Sequence, residues 1–291
     1  VESRPDPGPL AQSLARLDED VDWGTFRLLP RAPGSTPRPP WLRCADLLAD
    51  PAQFTVWRAH IAAALARELG VARDAIAAVV PAAYQLTWYA DVIGWAAGAL
   101  FHRERRVPSC APRDLWFGLD ESGYPARIGL TEPRFACLPT DPDAGHRDAR
   151  VLADEHSLAA LLRSHVAGHA EQFLLAWQPE VRLGPRTRWG AISDILDIAP
   201  WSAGMARGRE AAGVASSAVV MAGAAAPLLP GTRIYLGRDE HGRPFYSRHR
   251  HACCFAFRLP GHEACFSCPR VTDEERRARA SQWPDTGPPA G

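Results

Sequence analysis

From Ala75 to Phe101 the chain carries a single charged residue, Asp91. No other stretch limits the fold so sharply. A run of this length either spans a membrane or forms the central element of a folded core. Pro81, Gln85 and Asp91 interrupt it, and its flanks carry no topogenic pattern. A buried central helix is therefore expected, with Pro81 marking a helix boundary. Asp91 must then find a partner or a wet cavity, because a lone carboxylate in an apolar interior is expensive.

The rest of the chain supplies what such a helix needs around it. Of 291 residues, 46% are apolar and 23% charged, the balance of a globular protein with ample core. Net charge is zero and all 33 basic residues are arginine, which reads as coding bias. With no basic stripe, neither nucleic acid nor an anionic membrane is an expected partner. A membrane span is not expected either. Nothing at the N-terminal end has the layout of a signal peptide, so a cytoplasmic location is expected.

Local signals divide the chain. Residues 1–40 are proline-rich and read as a surface strap, with a short helix over Leu10–Leu17 and a strand or strap from Trp23 to Leu29. Residues 41–248 form the body. There, Asp50-Pro51 starts a helix whose apolar positions Phe54, Trp57, Ile61, Leu65 and Leu69 recur every three or four residues until Gly70. A hairpin is expected over 115–130 around the turn Asp120–Gly123, with a further strand at Phe135–Leu138. Helices are expected over His156–Trp177, from Trp189 until Pro200 ends or kinks it, and over Glu210–Leu229, whose small residues permit close helix packing. A second hairpin over 232–250 leads into a strand that runs to Cys253. Residues 249–270 are a cysteine segment, and 271–291 a short helix to about Trp283 with a disordered tail. The fold class is α+β: a helix-rich domain covering an antiparallel β-sheet, with a C-terminal cysteine segment.

That segment holds Cys253, Cys254, Cys265 and Cys268, spaced C-C-x10-C-x2-C. Four thiolates match a [2Fe–2S] cluster, two to each iron, and they also match a four-cysteine zinc site. Zinc sites usually draw both halves from C-x2–4-C turns, and only Cys265–Cys268 has that form. Neighbouring side chains on a strand point to opposite faces, so Cys253 and Cys254 reach one centre only if the backbone leaves strand geometry. Disulfides suit a small secreted chain better than this one. Cluster, zinc site and redox thiols all remain open on spacing alone.

The words around the cysteines resemble the C-terminal signature of the ferric-siderophore reductase family (FhuF-like). Arg250-His-Ala-Cys253-Cys254-Phe-Ala-Phe-Arg-Leu259-Pro260-Gly261 and then Cys265-Phe-Ser-Cys268-Pro269 carry the likeness. It covers about 20 residues. The resemblance implies that Cys253, Cys254, Cys265 and Cys268 bind a [2Fe–2S] cluster. It further implies one-electron reduction of Fe(III) held by a siderophore, of hydroxamate type, with release of Fe(II). An external electron donor, such as a ferredoxin or a flavin reductase, is implied too, since the chain shows no G-x-G-x-x-G and no flavin or nicotinamide word.

Other candidates are weaker. Arg188 and Trp189 form a polar–aromatic word that resembles one in the family and is a candidate for lining the siderophore pocket. Arg248, Arg250 and Arg258 flank the cysteines, where positive charge favours a reduced cluster or docks an acidic donor. His165 and His169 share a helix face, but the zinc-protease pattern needs Glu where Val166 stands, so a packing role is expected. Cys44, Cys110 and Cys137 are scattered and read as buried thiols. Two alternatives stand beside the reductase: a zinc- or cluster-stabilised interaction or sensor module, and a siderophore-assembling ligase, for which the chain is short and lacks a nucleotide-binding word.

Overall fold

The computed structural model describes residues 7–30, 41–238, 241–242, 244–265 and 267–281. The tail after Ser281, including Trp283, and most of the prolines of the N-terminal strap lie outside the described residues.

Helix α1 (Pro9–Asp20) has proline at its first position and buries Leu10, Leu14 and Leu17 at helical spacing. It leads into β1 (Thr25–Leu28). The short β2 (Leu42–Arg43) and α2 (Cys44–Ala49) follow. Helix α3 (Ala52–Leu69) starts after Asp50-Pro51 and stops at Gly70, which takes the left-handed conformation at φ 63° and closes the last turn.

The apolar run forms α4 (Val79–Glu104), and Pro81 lies in its first turn. A 3-10 turn, Arg73–Ala75, occupies the stretch between it and Gly70. No helix among the described residues is long and apolar enough to cross a membrane. Instead α4 is the axis of the core. It buries nearly every residue from Val80 to Phe101 against α1, α3, α5 (Glu155–Ala176), α6 (Pro185–Ala206) and α7 (Glu210–Met221).

Between α4 and α5 lie five short strands: β3 (Val107–Pro108), β4 (Leu115–Gly118), β5 (Arg127–Leu130), β6 (Phe135–Cys137) and β7 (Ala149–Val151). The β4–β5 hairpin falls at 115–130, and Asp120 caps its turn by accepting from the amides of Ser122 and Tyr124, each at 2.9 Å. Trp57 of α3 donates to Gly123 O at 2.8 Å, fastening the turn to the helices. The four-stranded sheet runs β1-β5-β4-β2 and the three-stranded sheet β3-β6-β7. Both are mixed: β1 is parallel to β5 and β6 parallel to β7. The third sheet is the antiparallel hairpin of β8 (Ile234–Arg238) and β9 (Pro244–Arg248), and α8 (Asp273–Ser281) ends the described chain. The α+β class holds, with small sheets rather than one broad one.

Four local expectations are corrected. Helix α6 begins at Pro185 rather than at Trp189, so Arg186 and Arg188 lie in its first turns. It also continues through Pro200 to Ala206. Pro200 is fully inside, where its ring packs towards Gly98 of α4. Helix α7 stops at Met221, well short of Leu229. Finally, no strand leads into Cys253: β9 ends at Arg248 and the chain proceeds by bends.

Close approach sets the α4–α6–α7 stack. A Cβ on Gly98 would meet Ala199 Cβ at 2.7 Å, and one on Gly213 would meet Trp201 O at 2.7 Å. The small residues of α7 thus serve tight helix packing, as their composition suggests.

Candidate metal centre

Two arms carry the cysteines. The first runs from β9 through His251 and Ala252 to Cys253 and Cys254. The pair lies outside any strand, and Phe255 follows in the left-handed conformation at φ 60°. The departure answers the difficulty posed by adjacent cysteines, because both thiols now line the same small cavity. The second arm is the turn Cys265–Cys268, closed by the Cys268 amide donating to Cys265 O at 3.0 Å. The Arg250 amide donates to Ser267 O at 3.2 Å and ties the arms together. All four cysteines face one cavity, with Arg250, Ala256, Phe257 and Ala264 beside them.

The thiols are free. Cys253 Sγ and Cys268 Sγ lie 3.7 Å apart, too far for a disulfide. Two thiolates on one tetrahedral metal, each about 2.3 Å from it, sit about 3.8 Å apart. The Phe255 amide donates to Cys253 Sγ at 3.3 Å, and Ser267 Oγ lies 3.6 Å from Cys265 Sγ. Hydrogen bonding with Cys268 draws the Cys253 thiol down to about 7, against the effect of burial. The same bonding pushes Cys268 up, and Cys265 rises through its bond with Cys268 and through burial.

The helical body holds the first arm by one carboxylate. Asp194 of α6 accepts from the His251 amide (3.0 Å) and the Ala252 amide (2.9 Å). Gly190, one turn earlier, lets this helix close on the arm: a Cβ there would meet His251 Cβ at 2.9 Å. Arg248 is buried and donates to Asp194 O at 3.1 Å and to Asp197 at 3.3 Å. Asp197 also accepts from Thr232. The second arm is held from α8, where Arg276 donates to Cys268 O and Val271 O, each at 3.1 Å. Thr272 and Glu275 cap that helix reciprocally.

Arg250 lies between these groups. Its guanidinium Nε is 3.9 Å from Asp194 and has no hydrogen-bond partner. Burial disfavours its charge, but Asp194, Cys254, Cys265 and Asp91 outweigh that and hold its pKa up.

Of the flanking candidates, Arg248 and Arg250 are thus turned inward, and Arg258 is exposed on the turn between the arms. Arg188 is turned back on its own neighbourhood: it donates to Leu183 O at 2.8 Å and lies over Trp177. Trp189 packs half-buried against the core. His165 and His169 bond to Pro108 O and Cys110 O, as packing residues do. Asp194 and Arg276 escaped the sequence reading. The signal for Asp194 was there, since Asp194 and Asp197 stand at i, i+3 within the apolar stretch 190–200. Arg276, in a charged helix of ordinary appearance, gave none.

Residues 250–270 match the family model described as the FhuF 2Fe-2S C-terminal domain. The match takes in all four cysteines and indicates a [2Fe–2S] cluster. It is confined to this segment. A comparison with curated proteins gives no match. The residues fit the group: four free thiols line one cavity, one pair at the separation of two ligands on a common metal. Among the described residues, no group of three or more His, Cys, Asp or Glu converges on a single-ion site.

Proposed function

We propose that the chain is a ferric-siderophore reductase that reduces chelated Fe(III) to Fe(II) in the cytoplasm. The observation that carries this reading is the FhuF-type match over 250–270, on a segment whose four thiols line one cavity. Cys253, Cys254, Cys265 and Cys268 are the proposed ligands. When bound, the [2Fe–2S] cluster supplies one-electron exchange, which is the stoichiometry of Fe(III) to Fe(II). The substrate chemistry is consistent with that. A hydroxamate siderophore encloses Fe(III) in hard oxygen donors, and Fe(II), with less charge, binds them far less well. One electron therefore loosens the complex without any nucleophile or general base.

The chain's own residues hold and tune the site. Asp194 and Arg276 fix the two arms from opposite helices. Arg250 keeps positive charge beside Cys254 and Cys265, which favours the more negative, reduced state. Exposed Arg258 is proposed to dock an acidic external donor such as a ferredoxin or a flavin reductase. The balance is one electron in from that donor and one out to Fe(III).

The test is stopped-flow mixing of the dithionite-reduced, cluster-loaded protein with a ferric trihydroxamate and an Fe(II) trap. Reoxidation of the visible absorption should match formation of trapped Fe(II) one to one, and Cys265→Ser should lose both signals. A reduced cluster that persists in the presence of the ferric complex would remove the reductase reading.

A further inference from the structure

Between Val80 and Phe101, α4 is buried at every position except Tyr84, Thr87 and Asp91. These fall at i, i+3 and i+7, on one face, so a single stripe of the central helix keeps access to solvent. Trp88 lies on the same stripe. Its ring meets Tyr84 at 5.1 Å between centroids and Tyr124 at 5.4 Å, and Tyr124 meets Trp23 at 5.7 Å. Tyr84, at one end, lies within electrostatic reach of Cys254 and Cys265. Asp91, at the other, lies within reach of Arg250, Arg248 and Tyr124.

The Asp91 carboxylate makes no hydrogen bond and no ion pair among the described residues. Its polar counterpart in the same run, Gln85, is fully engaged by Arg58, Trp177 and Phe54 O. The neighbouring charges leave Asp91 over as well. Arg248 is taken by Asp194 O and Asp197, and Arg250, which pairs with no carboxylate by a hydrogen bond, is shared among Asp194, the cysteines and Asp91. Two arginines thus stand against Asp91, Asp194 and Asp197, before the negative charge of four thiolates is counted. A spare carboxylate among aromatic rings is the chemistry that receives an organic cation: rings face the ammonium and its methylene chain while the carboxylate pairs with the charge.

We infer that Tyr84, Thr87, Trp88, Asp91 and Tyr124 form the substrate subsite beside the cysteines, and that Asp91 receives a primary ammonium carried by the ferric chelate. This rests on the reductase reading for the identity of the ligand, and it adds where the ligand lies and which charge is selected. A chelate along this stripe sits next to the segment that holds the cysteines, as direct electron transfer requires.

Gallium(III) complexes test it without any redox step. One probe is the Ga(III) complex of a linear trihydroxamate ending in a primary amine, and the other is the same complex with that amine acetylated. Each is titrated into cluster-loaded protein by calorimetry. The wild-type protein should bind the ammonium form at least tenfold more tightly. Asp91→Asn should abolish that preference while the visible spectrum of the cluster is unchanged. Thr87→Arg, on the accessible face, should weaken both complexes and provides a second route if Asp91→Asn folds poorly. Equal wild-type affinity for the two complexes, or a preference that survives in Asp91→Asn, or unaltered binding in Thr87→Arg, would overturn the inference. Failure of the reductase reading looks different: the gallium complexes would still bind with this selectivity, yet the ferric forms would leave the reduced cluster untouched.

Discussion

Six residues apart on one helix, Gln85 and Asp91 show how burial assigns roles to polar groups. Gln85 is fully buried, and both of its amide atoms are hydrogen-bonded, as an interior amide must be. Asp91 has no such partners and keeps accessible surface, and burial pushes its carboxyl up to about 7, with Arg250 and Arg248 working the other way. His169 is the counterpart among bases. It is fully buried, bonded through Nδ1 to Cys110 O at 2.7 Å and through Nε2 to the Tyr89 hydroxyl at 3.0 Å. The carbonyl requires a proton on Nδ1, so Nε2 accepts from Tyr89 and the ring is neutral. Burial pushes its pKa down from 6.5 to about 4. Between those values this ring is protonated in the unfolded chain and not in the folded one, so its contribution to stability falls as pH drops through that window. At about 1.4 kcal/mol per pH unit, the loss amounts to about 3 kcal/mol. Asp91, whose raised carboxyl binds a proton in the folded chain across the same window, works the other way, so the His169 contribution is read as a difference: urea unfolding from pH 7 to pH 4 should show stability falling more steeply, or rising less, in the wild type than in His169→Gln. An unchanged slope would mean that His169 is not the buried neutral group described.

Elements explain what was legible in the sequence and what was not. Periodic apolar residues and caps placed α1, α3, α4 and α5 to within a few residues, because in them local propensity and burial agree. Pro200 reads as a stop or a kink, since it lacks an amide and its ring crowds the preceding turn. In α6, packing against α4 outweighs that local cost. The strand expected before Cys253 failed for a related reason: Asp194 takes the two amides that a strand would have offered to a neighbour. Long-range partners of this kind leave no local period. Gly98 measures how tight the α4–α6 crossing is. Alanine is favoured over glycine in a helix by up to about 1 kcal/mol. Here the added Cβ would lie 2.7 Å from Ala199 Cβ, an overlap of the kind that typically costs about 1–3 kcal/mol. Gly98→Ala should therefore destabilise on balance, seen as a lower chemical-denaturation midpoint. A rise in the midpoint would show that the crossing relaxes freely.

At the scale of the whole molecule the described residues form two apolar cores of very different size. The large one runs through α1, α3, α4, α5 and α6, and the buried residues of the small one are Cys253, Cys268 and Val271, with Phe255 and Phe257 packed against them. A bound metal group contributes its binding free energy to the folding of the segment it ties together. Removing the cluster should consequently loosen the arms and spare the body. Hydrogen exchange can resolve this amide by amide. The Arg250 amide, bonded to Ser267 O, and the Cys268 amide, bonded to Cys265 O, depend on the arms being closed and should lose protection by tenfold or more. The His251 and Ala252 amides bond to Asp194, which belongs to α6 and the large core, so they should stay protected, as should the amides of α4. Loss of protection across α4 and α6 on cluster removal would show a single cooperative unit. No loss at Arg250 and Cys268 would show that the arms close without the cluster.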